Sequence, residues 1–360
     1  MSFMHVLFLY ASTGSGHFKA AEYVRQALIR ENPDICCSMV DVLNLCTIPV
    51  ESFILKGFRL IISRFPRMYR LLYQLTENNA LFNIAAGLLF SESIKQLIKM
   101  CRDLKVSTIV CTHPFALLFA SRLKKKLGES SPVTMGIITD YRIHRFWLYK
   151  PIDMYFVPNE EMKCELLNLG WENDKVYITG IPCPVNINTN TLSDDLKKPF
   201  LVVAGGGWGL GNLEGTVIRL LNANLEFCLV VVTGKNTFLY RKLKNLELQN
   251  PGRMIVVSTL PDLYALIKKS GGIITKPGGL TVTEAMILKK PLILSDPLPG
   301  AEEHNYRFLT EHRAAITLHT FLKNPDIILN WDKTYSKRQA SLAHTDSSLM
   351  IAERILAQKG

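Results

Sequence analysis

Three glycine-containing turns hold the residues best suited to chemistry, and the most informative lies within residues 272–285. A β-branched run ending at Thr275 predicts a buried parallel strand, and Gly278 and Gly279 predict a sharp turn into a helix. The unpaired N–H groups and the positive dipole end of that helix favour a bound phosphate. Lys276 would add a positive charge beside it.

The same turn has a purely structural interpretation. Thr281 and Glu284 have the spacing of a capping box, in which the two side chains only start a helix. Because glycine turns before helices are common in α/β proteins, the pattern alone leaves phosphate binding and helix capping equally open.

A second turn, residues 11–17, follows the first strand-like run and ends at His17. A position near a helix N-terminus disfavours the imidazolium, so we expect a neutral ring that can accept a proton from an alcohol. The alternative is a histidine that only hydrogen-bonds its own loop. Asp140, at the end of another strand-like run, is a second acid–base candidate, and its alternative role is a helix N-cap.

Two familiar nucleotide motifs are excluded by spacing. The dinucleotide fingerprint needs a third small residue where Lys19 stands, and the third glycine turn, residues 205–211, does not fit it either. A nicotinamide cofactor is therefore not expected. A P-loop at Gly234 would need a glycine where Leu229 stands, which argues against ATPase chemistry.

Composition indicates a protein with reduced thiols and without structural metal. The eight cysteines are scattered and have no metal-ligand spacing, which is typical of a cytosolic protein. We expect no cofactor and no metal. The N-terminus has no signal-peptide pattern, and the most apolar uncharged window, residues 81–90, is too short to cross a bilayer. The sequence therefore predicts a soluble or surface-bound protein.

Positive charge is concentrated in the first half of the chain. Residues 1–150 carry 19 Lys and Arg against 10 Asp and Glu, whereas the remainder carries 23 against 21. Within residues 51–75, five cations alternate with apolar and aromatic residues, and no acid lies between Glu51 and Glu77. This pattern predicts a segment that lies on an anionic membrane, with an ordinary core helix as the alternative. The many aliphatic residues argue against nucleic acid.

Strand-like runs alternate with helical patterns, which is typical of parallel α/β sheets. The runs fall at residues 6–11, 108–112, 134–139, 154–157 and 176–179, and then at 200–204, 227–233, 254–258, 272–275 and 292–295. We predict a first domain over residues 1–181, a linker over 182–199, a second domain over 200–335 and a C-terminal helix over 336–360 that packs back on the first domain. Two doubly wound domains of this kind would face each other across a cleft, with ligands at the strand ends.

The motifs also resemble a known family. They occur in one order along nearly the whole chain, as the stretches at residues 11–17, 139–147, 179–182, 276–281 and 299–303. They are similar to the monogalactosyldiacylglycerol synthase and processive diacylglycerol glucosyltransferase family, a glycosyltransferase family 28-like group. The resemblance implies a GT-B fold of two Rossmann-like domains. It also implies an inverting transfer of a hexose from a UDP-sugar to diacylglycerol, with the acceptor on the first domain and the donor on the second.

The resemblance assigns a role to each candidate residue. His17 would be the general base, and Asp140 remains the second catalytic candidate. The predicted donor site comprises Gly206, Gly207, Lys276, Gly278, Gly279, Leu280, Thr281, Glu284, Glu302 and Glu303. The predicted acceptor and membrane side comprises Gly14, Gly16, His144, Trp147, Arg59, Phe65, Arg67 and Arg70. No metal is required, because helix-terminal amides and cations can stabilise the leaving diphosphate.

Two departures from the family pattern bear on loop geometry and on the sugar. Ser15 replaces the middle one of three glycines, which a loop tolerates if its φ is negative. Ala301 replaces a common Gln, and His304 replaces a Gly, so the sequence leaves the hexose open among glucose, galactose and N-acetylglucosamine.

We therefore expect a peripheral glycolipid-forming enzyme on the cytoplasmic face of the membrane, with UDP-hexose, diacylglycerol and an anionic membrane surface as partners. One alternative is a UDP-N-acetylglucosamine transferase acting on a polyprenyl-linked cell-wall intermediate. Others are a UDP-sugar hydrolase or epimerase, which would not need lipid, and a non-catalytic RNA- or membrane-binding module.

Overall fold

The computed structural model describes residues 4–46, 90–185, 199–223 and 225–358. The chain folds into two compact units. The first comprises Met1–Thr13, His17–Val185 and Asp346–Gly360, and the second comprises Asn186–Thr345 with Gly14–Gly16. Most of the predicted linker and the whole basic segment 51–75, with Arg59, Phe65, Arg67 and Arg70, lie outside the described residues.

The first unit contains a parallel six-stranded sheet in the order β2-β1-β3-β4-β5-β6. The strands are β1 (His5–Tyr10), β2 (Cys36–Asp41), β3 (Thr108–Cys111), β4 (Val133–Ile137), β5 (Met154–Val157) and β6 (Val176–Ile178). The helices are α1 (Ser15–Glu31), α2 (Ser91–Asp103), α3 (Pro114–Leu127) and α4 (Glu160–Asn168). The strand order reverses between β1 and β3, whose register pairs Val6 with Thr108 and Leu9 with Cys111.

The second unit repeats this architecture in the order β12-β11-β10-β7-β8-β9, again all parallel. Its strands are β7 (Phe200–Ala204), β8 (Cys228–Val232), β9 (Met254–Val257), β10 (Ile273–Thr275), β11 (Leu292–Leu294) and β12 (Ile316–Thr317). Its helices are α5 (Leu213–Asn222), α6 (Thr237–Gln249), α7 (Leu263–Lys269), α8 (Gly279–Ile287), α9 (Ala301–Glu311), α10 (Leu318–Lys323), α11 (Trp331–Thr334) and α12 (Ser336–Leu342). Strands β7 and β10 are neighbours at the centre of this sheet, and the strand order reverses between them.

A last helix, α13 (Ser347–Leu356), belongs to the first unit. Its buried residues Ile351, Ala352 and Ile355 pack with Val6 and Phe8 of β1 in one hydrophobic core. Helix α1 covers the same face of the sheet, whereas α2 and α3 cover the other face. The first unit is therefore doubly wound, and its core includes a helix that follows the second unit in the chain.

Two strands escape prediction from the sequence. Strand β2, with the sequence CCSMVD, is an edge strand whose residues are mostly half-buried, so it lacks a continuous apolar run. Strand β12 has two residues, too few to form a pattern. Residues 336–345, expected to pack back on the first domain, group with the second unit instead, where Gln339 donates hydrogen bonds to the carbonyls of Lys290 and Ala314. No helix among the described residues is long and apolar enough to cross a bilayer.

Candidate active site

The loops after β1 and β3 meet at the point where the order of the first sheet reverses. In doubly wound sheets this is where ligands bind, because two neighbouring loops leave the strand ends in opposite directions. The loop after β1 carries His17 in the first turn of α1, and the loop after β3 carries Thr112 and His113. The fold thus brings together residues that are about a hundred positions apart.

Two hydrogen bonds fix His17 to Thr112. Nδ1 of His17 lies 2.6 Å from the carbonyl oxygen of Thr112, and the Thr112 hydroxyl donates to the carbonyl oxygen of His17 over 2.8 Å. A carbonyl can only accept, so Nδ1 carries the proton, with the Thr139 hydroxyl a further 3.2 Å contact. In the neutral form of the ring, the lone pair would therefore lie on Nε2. This arrangement suits the predicted proton acceptor, and its role as a base stays a prediction.

His113 is a second histidine at this site, and the sequence analysis did not select it. It occupies the N-cap position of α3, where Nδ1 accepts a hydrogen bond from the N–H of Phe115 over 3.0 Å. Nε2 lies 3.1 Å from the hydroxyl of Thr13, and the ring packs edge-to-face on His17 with centroids 4.5 Å apart. Burial of the ring holds the pKa of His113 well below its usual value of 6.5, and the protonated form of His17 would lower it further. The ring is therefore neutral, and Nε2–H donates to Thr13.

The predicted site residues His144 and Trp147 are buried in the first unit, and Asp140 is half-buried. His144 is buried and caps the short helix Arg145–Trp147, with Nδ1 accepting from the N–H of Phe146 over 3.1 Å. Trp147 is also buried, 6.2 Å from the ring of His17. Neither side chain presents an open surface, so an acceptor would meet them only through the site. Asp140 is half-buried and directly follows Thr139. The N-cap of the next helix is His144, and the acid–base role of Asp140 stays a prediction.

The loop that carries Gly14 and Gly16 is held at its start by a buried carboxylate. The Ser12 hydroxyl hydrogen-bonds Asp41, whose carboxylate also accepts from the N–H of Ser12 over 3.2 Å. Asp41 further accepts from the N–H of Leu43 over 3.0 Å, so strand β2 anchors this loop. The sequence analysis did not foresee this anchoring of the loop, because it did not predict strand β2.

In the second unit, α8 begins at the end of β10 with a glycine in the N-cap position. This residue, Gly278, has no side chain that could accept from the first turn. The capping-box interpretation of Thr281 and Glu284 is therefore wrong, because both lie inside the helix, and Glu284 is 4% exposed. By contrast, Asn212 and Asn236 cap α5 and α6. The first N–H groups of α8, at Gly279, Leu280 and Thr281, thus suit a ligand.

Lys276 is in contact with Glu302 at this helix start. Its ammonium group hydrogen-bonds one carboxylate oxygen, and the other accepts from the N–H of Leu298 over 3.0 Å. Both side chains are largely enclosed, with 17% and 14% of their surfaces exposed. Binding of a phosphate by Lys276 and of a sugar hydroxyl by Glu302 stays a prediction.

The predicted glycine turn after β7 approaches Lys276 closely. Gly206 has a φ of +73°, and a Cβ built on it would lie 3.0 Å from Cε of Lys276. Only glycine satisfies both the backbone angle and the space. The backbone carbonyl of Gly207 accepts from the N–H of Lys235 over 2.9 Å, which joins this turn to the loop after β8.

Two further residues shape the donor side. Glu303 accepts from the N–H of Gly300 over 3.1 Å and so caps α9, a use that the sequence analysis did not foresee. Asn305, also not foreseen, is completely buried and donates to the carbonyl of Pro277 over 3.1 Å. It connects α9 to the turn before α8. Within the described residues, no three His, Cys, Asp or Glu side chains come together as metal ligands.

Comparison with protein families matches residues 17–183 to the model described as monogalactosyldiacylglycerol (MGDG) synthase. Among individual proteins, a processive diacylglycerol β-glucosyltransferase of Bacillus subtilis strain 168 is 30% identical over 380 residues, covering 98% of this chain and 95% of the relative. The protein of the same name from Bacillus licheniformis is 29% identical over 379 residues, with the same coverage. These similarities extend over both units.

Solved structures share the fold at lower identity. The S. aureus MnaA–UDP structure has a TM-score of 0.65 at 15% identity and covers 98% of this chain and 96% of its own. A UDP-glucosyltransferase from Polygonum tinctorium has a TM-score of 0.63 at 14% identity, with 99% of both chains covered. The two parallel sheets and these similarities confirm the predicted α/β two-domain architecture of GT-B glycosyltransferases.

Proposed function

Because this chain belongs to the family of processive diacylglycerol β-glucosyltransferases, we propose that it transfers glucose from UDP-glucose to a hydroxyl group of diacylglycerol. The product is a glycolipid, and the enzyme is a UDP-sugar-dependent hexosyltransferase. The names of these relatives support glucose among the three sugars that the sequence left open. The observation that supports this chemistry is the hydrogen bond from Nδ1 of His17 to the Thr112 carbonyl, since it would leave the lone pair of a neutral ring on Nε2.

The proposed step is a single displacement. The acceptor oxygen forms a bond to C1 of glucose while the bond between C1 and the diphosphate oxygen breaks, and its electron pair leaves with UDP. The acceptor hydroxyl gives its proton to Nε2 of His17. Attack opposite the leaving group inverts the configuration at C1.

The second unit would supply the donor contacts. The first N–H groups of α8 and the ammonium group of Lys276 suit the negative charge that develops on the diphosphate. Glu284 would accept hydrogen bonds from the ribose, and Glu302 from the hexose, once Lys276 turns to the phosphate. These groups would make a metal unnecessary, so we propose transfer without one.

Membrane attachment is the second part of the proposal. Residues 51–75 carry five cations, with no acid between Glu51 and Glu77, and each cation near an anionic surface contributes about 1 kcal/mol. We infer peripheral binding to the cytoplasmic face and no binding of nucleic acid. Co-flotation with anionic but not zwitterionic vesicles, reduced in Arg67→Glu, would support this attachment, whereas equal flotation with both vesicle types would contradict it.

The transfer is tested by measuring UDP release from a panel of UDP-sugars, with and without diacylglycerol in anionic-lipid micelles. We expect release from UDP-glucose only when diacylglycerol is present, and a large loss of this release in His17→Ala. Release that does not depend on lipid would indicate a hydrolase or epimerase. No release from any sugar, despite UDP binding in a titration, would show that the acceptor is wrong.

A further inference from the structure

His113 connects the loop that carries His17 to the start of helix α3. Its ring donates from Nε2 to Thr13, accepts at Nδ1 from Phe115, and packs against the ring of His17. We propose that His113 is a positioning residue that fixes the loop through Thr13, so that Nε2 of His17 stays where an acceptor hydroxyl can reach it. This inference rests on the proposed function and concerns the same site.

The geometry gives the His17 loop two separate attachments to the segment after β3. At one end, Thr112 binds the backbone and ring of His17, with distances of 2.8 and 2.6 Å. At the other, Thr13 lies four residues earlier and contacts His113 over 3.1 Å. Since Thr112 and His113 are consecutive, both attachments end on one rigid strand terminus. Losing the second would let the loop rotate about the first.

The same geometry makes the Thr13 attachment insensitive to proton transfer at His17. A proton on Nδ1 of His113 would break its bond with the N–H of Phe115 and would add positive charge to the positive end of α3. Nε2–H of His113 therefore remains a donor to Thr13 while His17 gains and loses its proton. A Lys or Arg at this position would instead repel the imidazolium form of His17.

Two substitutions separate the two hydrogen bonds of His113. Asparagine carries its polar atoms at the position of Nδ1, so H113N keeps the cap of α3 and loses the hydrogen bond to Thr13. Glutamine carries them at the position of Nε2, so H113Q keeps a donor for Thr13 and loses the cap. We expect kcat to fall about tenfold in H113N, with the KM for UDP-glucose unchanged, because a small misplacement of a base costs rate and not donor binding. We expect H113Q to keep most of kcat but to melt at a lower temperature.

A second set of variants tests the partner. Thr13→Val removes the hydroxyl without changing size, and we expect it to match H113N in kcat. The double variant Thr13→Val/H113N should have the same kcat as either single variant, because each substitution removes the same hydrogen bond between Thr13 and His113. Ile351 is a buried residue of α13, and Ile351→Val serves as a control that should lower the melting temperature without changing kcat.

The outcomes distinguish this inference from the proposed function. Wild-type kcat in H113N, or equal losses in H113N and H113Q that follow their melting temperatures, would leave His113 as a helix cap only and overturn the inference. Absence of UDP release in the wild-type enzyme would instead overturn the proposed function. In that case the inference is still tested by NMR, where the ring signals of His17 should match those of the wild type in H113Q and shift in H113N, because only H113N loses the hydrogen bond to Thr13.

Discussion

Replacing Gly206 with alanine would press a methyl group against the side chain of Lys276. The built Cβ lies 3.0 Å from Cε and 3.7 Å from Nζ of Lys276, whereas ordinary contacts are 3.4–4 Å, so the lysine must move by a few tenths of an ångström. The φ of +73° adds backbone strain of about 1–2 kcal/mol for any residue with a Cβ. The variant therefore carries both a stability cost and a functional cost.

The functional cost follows from the contact that Lys276 would make to UDP. A hydrogen bond to a charged group contributes about 1.5–3 kcal/mol, which corresponds to about a tenfold to 150-fold change in Kd. Because the side chain is displaced and not removed, we expect the lower end, about tenfold weaker UDP binding. Gly252→Ala is the matched control, since its φ is also +73° and no atom of the described residues outside its own neighbours lies within 4 Å of the built Cβ.

Isothermal titration with UDP and urea unfolding would be measured on both variants. We expect equal losses of stability and weaker UDP binding in Gly206→Ala alone. Equal UDP affinity in the two variants would refute the role of Lys276 in binding the diphosphate. A much larger loss of stability in Gly206→Ala would show that the contact cannot relax as a flexible side chain should.

Three further outcomes are expected. His17→Ala should lower kcat by roughly 10²- to 10⁴-fold with unchanged UDP affinity. Weaker UDP binding in titration, with kcat unchanged, would contradict the role of His17 as a general base. EDTA should leave the rate of UDP release unchanged, and restoration of a lost rate by added Mg²⁺ would contradict transfer without a metal. Because the pKa of His113 is low in the folded state, unfolding takes up a proton below pH 6.5, so stability should fall by up to about 1.4 kcal/mol per pH unit on acidification. Denaturant titrations at several pH values should show this component in wild type and lack it in H113N, and identical pH dependence of the two would contradict it.

Much of the fold could be predicted because the central strands are short apolar runs that end at glycine turns. Strands β7 and β8 are buried at every residue, and their runs stand out for that reason. Strand β2 could not be found in this way, since an edge strand needs fewer apolar residues. Its omission concealed the role of Asp41, the carboxylate that anchors the loop before His17.

The candidate site was only partly predictable, because its distances depend on pairs far apart in the chain. The glycine turns indicated His17 and Lys276, but neither the carbonyl that orients His17 nor the carboxylate beside Lys276 has a local signal. His113 does have a local signal. It lies two residues after a buried strand and directly before Pro114, and a proline in the first turn of a helix marks the preceding residue as the N-cap.

The place of α13 in the core of the first unit bears on the order of synthesis. Ser347 and Ser348 donate hydrogen bonds to the carbonyls of Ile181 and Cys183, and Ile351 and Ile355 fill the core beside β1. A ribosome makes the strands of the first unit before those of the second unit and makes α13 after both, at about 5–20 residues per second. The first unit can therefore complete its core only after α13 has been made, whereas every strand of the second unit precedes α13 in the chain. We expect that a stop codon near residue 345 would leave His17 on a first unit that lacks this part of its core, whereas every strand of the second unit would still be made.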